Sequence, residues 1–233
     1  MALPKIDLPM MEMVLPSSGE KIKYRPFTVK EEKILLVAQE SQDPEQEILA
    51  AKQVVNNCLI DKDINELAMF DLEFVLLTMR SKSIDNKLEF RITDPDTSES
   101  VEVELNLDEM KLVEDANHTN RIKVNDEYFI ILKYPKIDEF IKIVSYEPTD
   151  PLVNYFIMVS CLDKLVSEDE SHDFGEYSEE EIDDFMNNMT GNVLKGIQTF
   201  FETMPKLRHE FNYTNSAGSE KTFVIEGMRT FFI

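Results

Sequence analysis

Apolar and polar positions alternate on both sides of a Pro-Ser-Ser-Gly turn in "MEMVLPSSGEKIKYRPF", which predicts a β-hairpin over about residues 11–25. The period then changes to that of a helix. Thr28 and Glu31 have the spacing of a capping box, and Ile34, Leu35 and Ala38 form the apolar face behind it. Asp43 followed by Pro44 starts a second helix, whose stripe is Ile48, Leu49, Ala51, Val54, Val55, Cys58 and Leu59. A third helix near 70–82 is apolar around most of its circumference, as the centre of a helical core requires.

From residue 87 the alternation is two-fold again. "KLEFRITDPDTSESVEVELNL" predicts two strands joined at an Asp-Pro turn, and further strands are expected at 120–124 and in "EYFIILKYP". A helix is expected at 137–145. A long one follows, with Asp150 as N-cap and Pro151 at its first position, running through "LVNYFIMVSCLDKLV". "SEDESHDFGEYSEEEIDDF" carries ten acidic residues and no Lys or Arg; its first half is expected to be a solvated loop. Ser178 and Glu181 form a second capping box, opening a helix with Ile182, Phe185, Met186 and Met189 on one face. Another helix at 191–204 stops at Pro205, and a last hairpin turns at Ser216-Ala217-Gly218 before the chain ends in "RTFFI".

The expected fold class is therefore α+β, a helical body with antiparallel β-hairpins at its edges, in a single domain spanning 1–233 with hairpin excursions near 87–134 and 206–226. Twice an apolar helix runs into a hairpin, 70–82 into 87–105 and 191–204 into 206–226; duplication and chance recurrence explain this echo equally well.

Charge narrows the function classes. With 24 Lys+Arg against 46 Asp+Glu, the 233-residue chain carries −22, which repels nucleic acid and anionic membranes and favours basic protein partners. A hydrophobic fraction of 42% is enough for a real core. No secretion signal and no membrane-length apolar run is visible. The two cysteines, Cys58 and Cys161, sit in apolar helical patterns and read as buried thiols of a reducing compartment; their separation is left open.

Candidate chemistry is sparse. With six glycines the chain has neither G-x-G-x-x-G nor G-x-x-x-x-G-K-[ST]. His118, His172 and His209 are far apart in polar segments and are expected to face solvent. No Cys-His pairing, G-x-S-x-G elbow, C-x-x-C or calcium-loop order is present. No catalytic, cofactor-binding or metal-binding residue is predicted, and no cofactor. The candidate surface is instead a partner-binding one. It comprises Glu168, Asp169 and Glu170 as an acidic rim beside a stripe containing Phe185, Met186, Met189, Phe200 and Phe201, suited to a basic amphipathic helix if the stripe is open. Flexible thioethers among the twelve methionines would serve an adaptable surface as readily as a core.

The N-terminal block "LPSSGEKIKYRPFTVKEEKILLVAQES" resembles the signature of the baseplate hub assembly proteins of T-even-like contractile-tailed bacteriophages. In the same order, "FDLEFVLLTMRSKS", "VEVELNLDEM", "ILKYP", "YSEEEIDDFMNNMT", "IQTFFETMPKL" and "EGMRTFFI" resemble later elements of that family. The resemblance spans nearly the whole chain and implies a non-catalytic assembly chaperone or structural hub subunit. Its implied partners are other tail or hub proteins, tape-measure components among them, with self-association left open. The implied location is the host cytoplasm during assembly, or the virion tail baseplate. Where some relatives carry cysteine pairs at two hairpin tips, this chain reads "TDPDTSES" and "YTNSAGSE", so metal binding is not carried over. Two other classes compete: an acidic DNA mimic that inhibits a host nucleic-acid-binding protein, which needs carboxylates arrayed along a regular surface, and a hydrolase with a dispersed acid pair.

Overall fold

A computed structural model of the chain describes residues 7–145 and 151–226. The chain divides into two compact units, one built from residues up to Val113 and from Lys206 onward, the other from Glu114–Pro205. The expected excursion at 87–134 contributes to both. The fold class is α+β, with small antiparallel sheets beside helices.

The first unit opens with the predicted hairpin, β1 (Met11–Val14) paired to β2 (Lys21–Tyr24). Its turn closes with Leu15 N–H donating to the Glu20 carbonyl at 2.9 Å, and Gly19 takes the left-handed conformation at φ 69°. The Ser17 N–H donates to the Asp71 carboxylate at 3.0 Å, and the Ser17 hydroxyl donates to it as well, tying the turn to the helical layer. Helix α1 (Val29–Ser41) starts at the Thr28–Glu31 capping box, and α2 (Pro44–Cys58) at the Asp43 cap, both as the sequence predicts. Leu49, expected within the α2 stripe, is exposed instead, because the buried face is set by Ile48, Ala51, Val54, Val55 and Cys58. Helix α3 (Met69–Ser83) buries Leu72, Val75 and Met79 and is the central element the sequence led one to expect.

The hairpin of β3 (Lys87–Thr93) and β4 (Ser100–Asn106) follows, then β5 (Lys111–Val113), a short strand the sequence did not predict. The β3–β4 turn repeats the β1–β2 turn: Asp94 N–H donates to the Glu99 carbonyl at 2.9 Å, a proline sits one residue after the closing position, and Ser98 occupies the left-handed site at φ 58° that Gly19 fills in the other.

The second unit contains β6 (Arg121–Lys123), β7 (Phe129–Leu132), α4 (Ile137–Ser145) and α5 (Pro151–Ser160). The expected long helix ends at Ser160; after Cys161 the chain becomes strand β8 (Leu162–Val166), which pairs with β7 and with β9 (Ser171–Asp173) in the sheet order β6-β7-β8-β9. The supposed loop at 167–173 is thus a hairpin. Asp150, the expected N-cap, lies outside the described residues. Helix α6 (Glu179–Asn187) begins at the Ser178–Glu181 capping box, and α7 (Gly191–Thr203) runs to the turn before Pro205.

Close approach of α7 to β6 depends on Gly196. A Cβ there would lie 2.7 Å from Ile122 Cγ2, and the β-branched Ile122 is buried and stiff at χ1. Gly196→Ala should therefore destabilise the second unit by about 1–3 kcal/mol, although alanine is the better helix former. A chemical-denaturation midpoint that rises would show that the packing here can give way.

Strands β10 (Lys206–Thr214) and β11 (Glu220–Glu226) return the chain to the first unit, β10 pairing with both β11 and β5. The closing "RTFFI" lies outside the described residues. Leu77, Ile92, Leu105, Leu107, Leu207 and Ile225 form a shared core between the two hairpins and α3. At the hairpin tips the buried Asp94 accepts from the Tyr213 hydroxyl at 2.7 Å, the Thr97 N–H at 2.8 Å and the Asp96 N–H at 3.0 Å. The Tyr213 bond, with the turn N–H groups, holds this carboxyl well below the usual carboxylate range. The same bond pushes Tyr213 up to about 12.

Candidate functional site

The eight residues singled out from the sequence all fall in the second unit. The sheet β6–β9 and helices α6 and α7 enclose Ile130, Leu132, Leu162, Phe174, Val193 and Ile197. Met186 and Phe200 belong to this same core, at 4% and 1% exposure. They therefore line no surface of the unit, which corrects the expectation of an open stripe through them; the helical period that aligned them with Phe185 and Phe201 marks a core-facing side. Phe185, Met189 and Phe201 are half-buried around that core. Phe185 meets Phe174 edge-on at 5.4 Å between centroids.

Phe200 anchors an aromatic stack with His118 at 5.1 Å and Tyr134 at 5.6 Å. His118, expected to face solvent, is half-buried there. The Thr203 hydroxyl donates to the Thr199 carbonyl at 2.7 Å, so it accepts from His118 Nδ1–H at 2.9 Å. Nε2 then accepts the Tyr134 hydroxyl at 3.0 Å. Both ring nitrogens are committed, and burial lowers the His118 pKa. This is a neutral, structural imidazole.

The acidic residues behave differently. Ser167 and Glu170 close the β8–β9 turn, with Ser167 N–H donating to the Glu170 carbonyl at 2.9 Å, and Glu168, Asp169 and Glu170 project as exposed side chains. Glu170 faces His172 Nε2 at 3.3 Å and accepts from the Tyr128 hydroxyl at 3.5 Å, while His172 Nδ1 lies 2.9 Å from the Tyr177 hydroxyl. Carboxylates of Glu127 and then Glu170 raise the Tyr128 pKa. On the neighbouring elements the Tyr155 hydroxyl donates to Asp183, and burial followed by that carboxylate pushes Tyr155 up to about 12. Tyrosine hydroxyls thus meet Glu170 and Asp183. The phenol partners Tyr128 and Tyr155 were not singled out from the sequence, because they lie far along the chain from Glu170 and Asp183 and only the fold brings them together.

The basic N-terminal block in the first unit is partly neutralised within the unit. Arg25 reaches Glu31 at 3.1 Å, Lys23 reaches Asp61 at 3.6 Å, and Lys62 reaches Glu20 at 2.8 Å, whereas Lys30 and Lys33 are exposed. Cys58 and Cys161 are both free and buried, and burial pushes their thiols up to about 11 and about 12. Such thiols stay protonated at neutral pH and make poor nucleophiles. Among the described residues no group of three or more His, Cys, Asp or Glu side chains is placed to hold a metal ion, and no helix is long and apolar enough to cross a membrane.

Compared with known families, residues 8–233 match the model of the T4 bacteriophage base plate protein. No curated protein and no solved structure matches the chain.

Proposed function

The chain belongs to the T4 bacteriophage base plate protein family, and on that premise we propose that it works in assembly of the baseplate hub, as an assembly chaperone or as a structural hub subunit, by protein–protein binding and without catalysis. The observation that carries this reading is the family match over residues 8–233, nearly the whole chain. Side-chain chemistry supports it. His118 is committed on both nitrogens, both thiols are held protonated, and Glu168, Asp169 and Glu170 form an exposed acidic turn of a kind that steers a basic partner and rejects an acidic one. The partners are other tail or hub proteins met in the host cytoplasm during assembly.

The test is affinity capture of the tagged chain from infected cells, with mass spectrometry of what is recovered and of purified tails. Recovery of tail or hub proteins is expected, and it should fall when Glu168, Asp169 and Glu170 are all replaced by lysine. Presence of the chain in purified tails would make it a hub subunit, and absence a chaperone. Recovery of a host nucleic-acid-binding protein in place of tail proteins would overturn the proposal.

A further inference from the structure

The outer side of α1 carries exposed large apolar side chains among its charged ones. Val37 is 68% exposed and Leu36 51% exposed, with Val29 beside them. Between α1 and α2 runs a groove of about 470 Å³ whose walls include Ile34, Val37, Leu49 and Gln53 and whose floor includes the small residues Ala38 and Ala50. Among the described residues that line it, Lys33 alone is charged.

The charges along α1 say what fits there. At 3.6 residues per turn, Lys30, Lys33, Ile34, Glu40 and Ser41 all lie within about 60° of Val37 on the helix circumference. The N-terminal half of this face is basic, through Lys30 and Lys33, and the C-terminal half carries Glu40. Lys33 and Glu40 are displaced to the same side of Val37 and lie at nearly equal heights below and above it. If a second α1 runs antiparallel across a two-fold axis at Val37, Lys33 of each copy falls opposite Glu40 of the other. The same rotation places each Val37 against the Val37 of the other copy.

We propose that this face is a self-complementary interface, through which two copies of the chain pair by antiparallel α1 helices centred on Val37, with reciprocal Lys33–Glu40 ion pairs. At −22 per chain, two copies repel at long range. Screening reduces that repulsion to the nearest charges, since the Debye length is about 8 Å at about 0.15 M salt. What remains at the contact is apolar burial and two opposite-charge pairs. The interface is small, so the dimer is weak.

Sedimentation velocity of the purified chain, loaded from about 10 to about 500 µM at about 0.15 M salt, tests this. The mass is expected to rise from the monomer's 27.1 kDa toward twice that value. Val37→Asp should remain monomeric at every concentration, with an unchanged melting temperature because the side chain is exposed. Lys33→Glu should weaken pairing about tenfold or more, by facing two carboxylates with two others. The double variant Lys33→Glu, Glu40→Lys should pair as the parent does. A parent chain that stays monomeric at the highest concentration would overturn the proposal and leave the groove to a different protein. A dimer that survives Val37→Asp, or a double variant that is not restored, would overturn it as well. None of these readouts depends on tail assembly.

Discussion

Phe200→Ala is expected to destabilise the second unit by about 3–5 kcal/mol, a large share of the stability of an ordinary domain. The ring is almost wholly buried, stacks on His118 and Tyr134, and meets Phe201 edge-on at 5.4 Å. Its removal leaves a cavity bounded by Val193 and Ile197 on the same helix and by sheet residues that cannot collapse without shifting the strands. It also strips the apolar cover from a neutral imidazole whose two hydrogen bonds depend on that cover. Thermal or denaturant unfolding of the free protein measures the loss, with exposed Lys195→Ala as a control expected to stay within about 0.5 kcal/mol. A Phe200→Ala protein as stable as the parent would place the ring at a surface, contrary to its burial.

Removing Glu31 should have the next largest effect. Its carboxylate accepts the Thr28 N–H at 2.9 Å, the Thr28 hydroxyl at 2.6 Å and the Arg25 guanidinium at 3.1 Å, at 1% exposure. Glu31→Ala breaks the capping box and strands Arg25, which also donates to the Asn57 carbonyl at 3.0 Å where β2 meets the end of α2. Breaking a buried pair costs about 3–5 kcal/mol; Arg25 retains partial access to water, so about 2–4 kcal/mol is expected here. The pH dependence has a definite sign. Burial pulls the Glu31 carboxyl up, but the bonds from Arg25 and Thr28 outweigh it and hold the pKa at about 2 against an ordinary 4.5. Between those values the unfolded chain binds the extra proton. The contribution of Glu31 is therefore complete above pH 4.5 and is lost as pH falls toward about 2. Melting temperatures of Glu31→Gln should show a shallower fall across that window than those of the parent. Parallel profiles would mean that the carboxylate is not held by these partners.

Local chemistry was legible in the sequence wherever neighbours in the chain decide the structure. Thr28 with Glu31, Asp43 with Pro44, and Ser178 with Glu181 mark helix starts because capping is a contact over two or three residues. The Pro-Ser-Ser-Gly and Asp-Pro turns are legible for the same reason. Continuous apolar runs are not. "LVNYFIMVSCLDKLV" has no glycine or proline to show where helix becomes strand, and only the pairing of Leu162–Val166 with β7 and β9 settles it. The three-residue strands β5 and β9 are too short to establish a period and exist through their partners.

The candidate site was half legible. Composition marks Glu168, Asp169 and Glu170 as solvated and they are exposed, but periodicity alone cannot distinguish an apolar face turned to a core from one turned to a partner, and Met186 and Phe200 face the core. The bond from Tyr213 to Asp94 joins residues 119 positions apart, and no local pattern announces it. The exposed Val37 is hidden in the sequence for the opposite reason: it looks like one more apolar residue of a buried stripe.

The central claim is that this member of the T4 bacteriophage base plate protein family acts in building the baseplate hub by binding and not by turnover. The most direct measurement is electron microscopy of tail structures from cells infected with a phage whose copy of this chain is interrupted, with and without the chain supplied in trans. Baseplates lacking a completed hub, restored by the supplied chain and by a His118→Ala, His172→Ala, His209→Ala triple variant wherever that variant folds, are the predicted result. Finished tails in normal number without the chain, or rescue that fails with a folded triple variant, would contradict it.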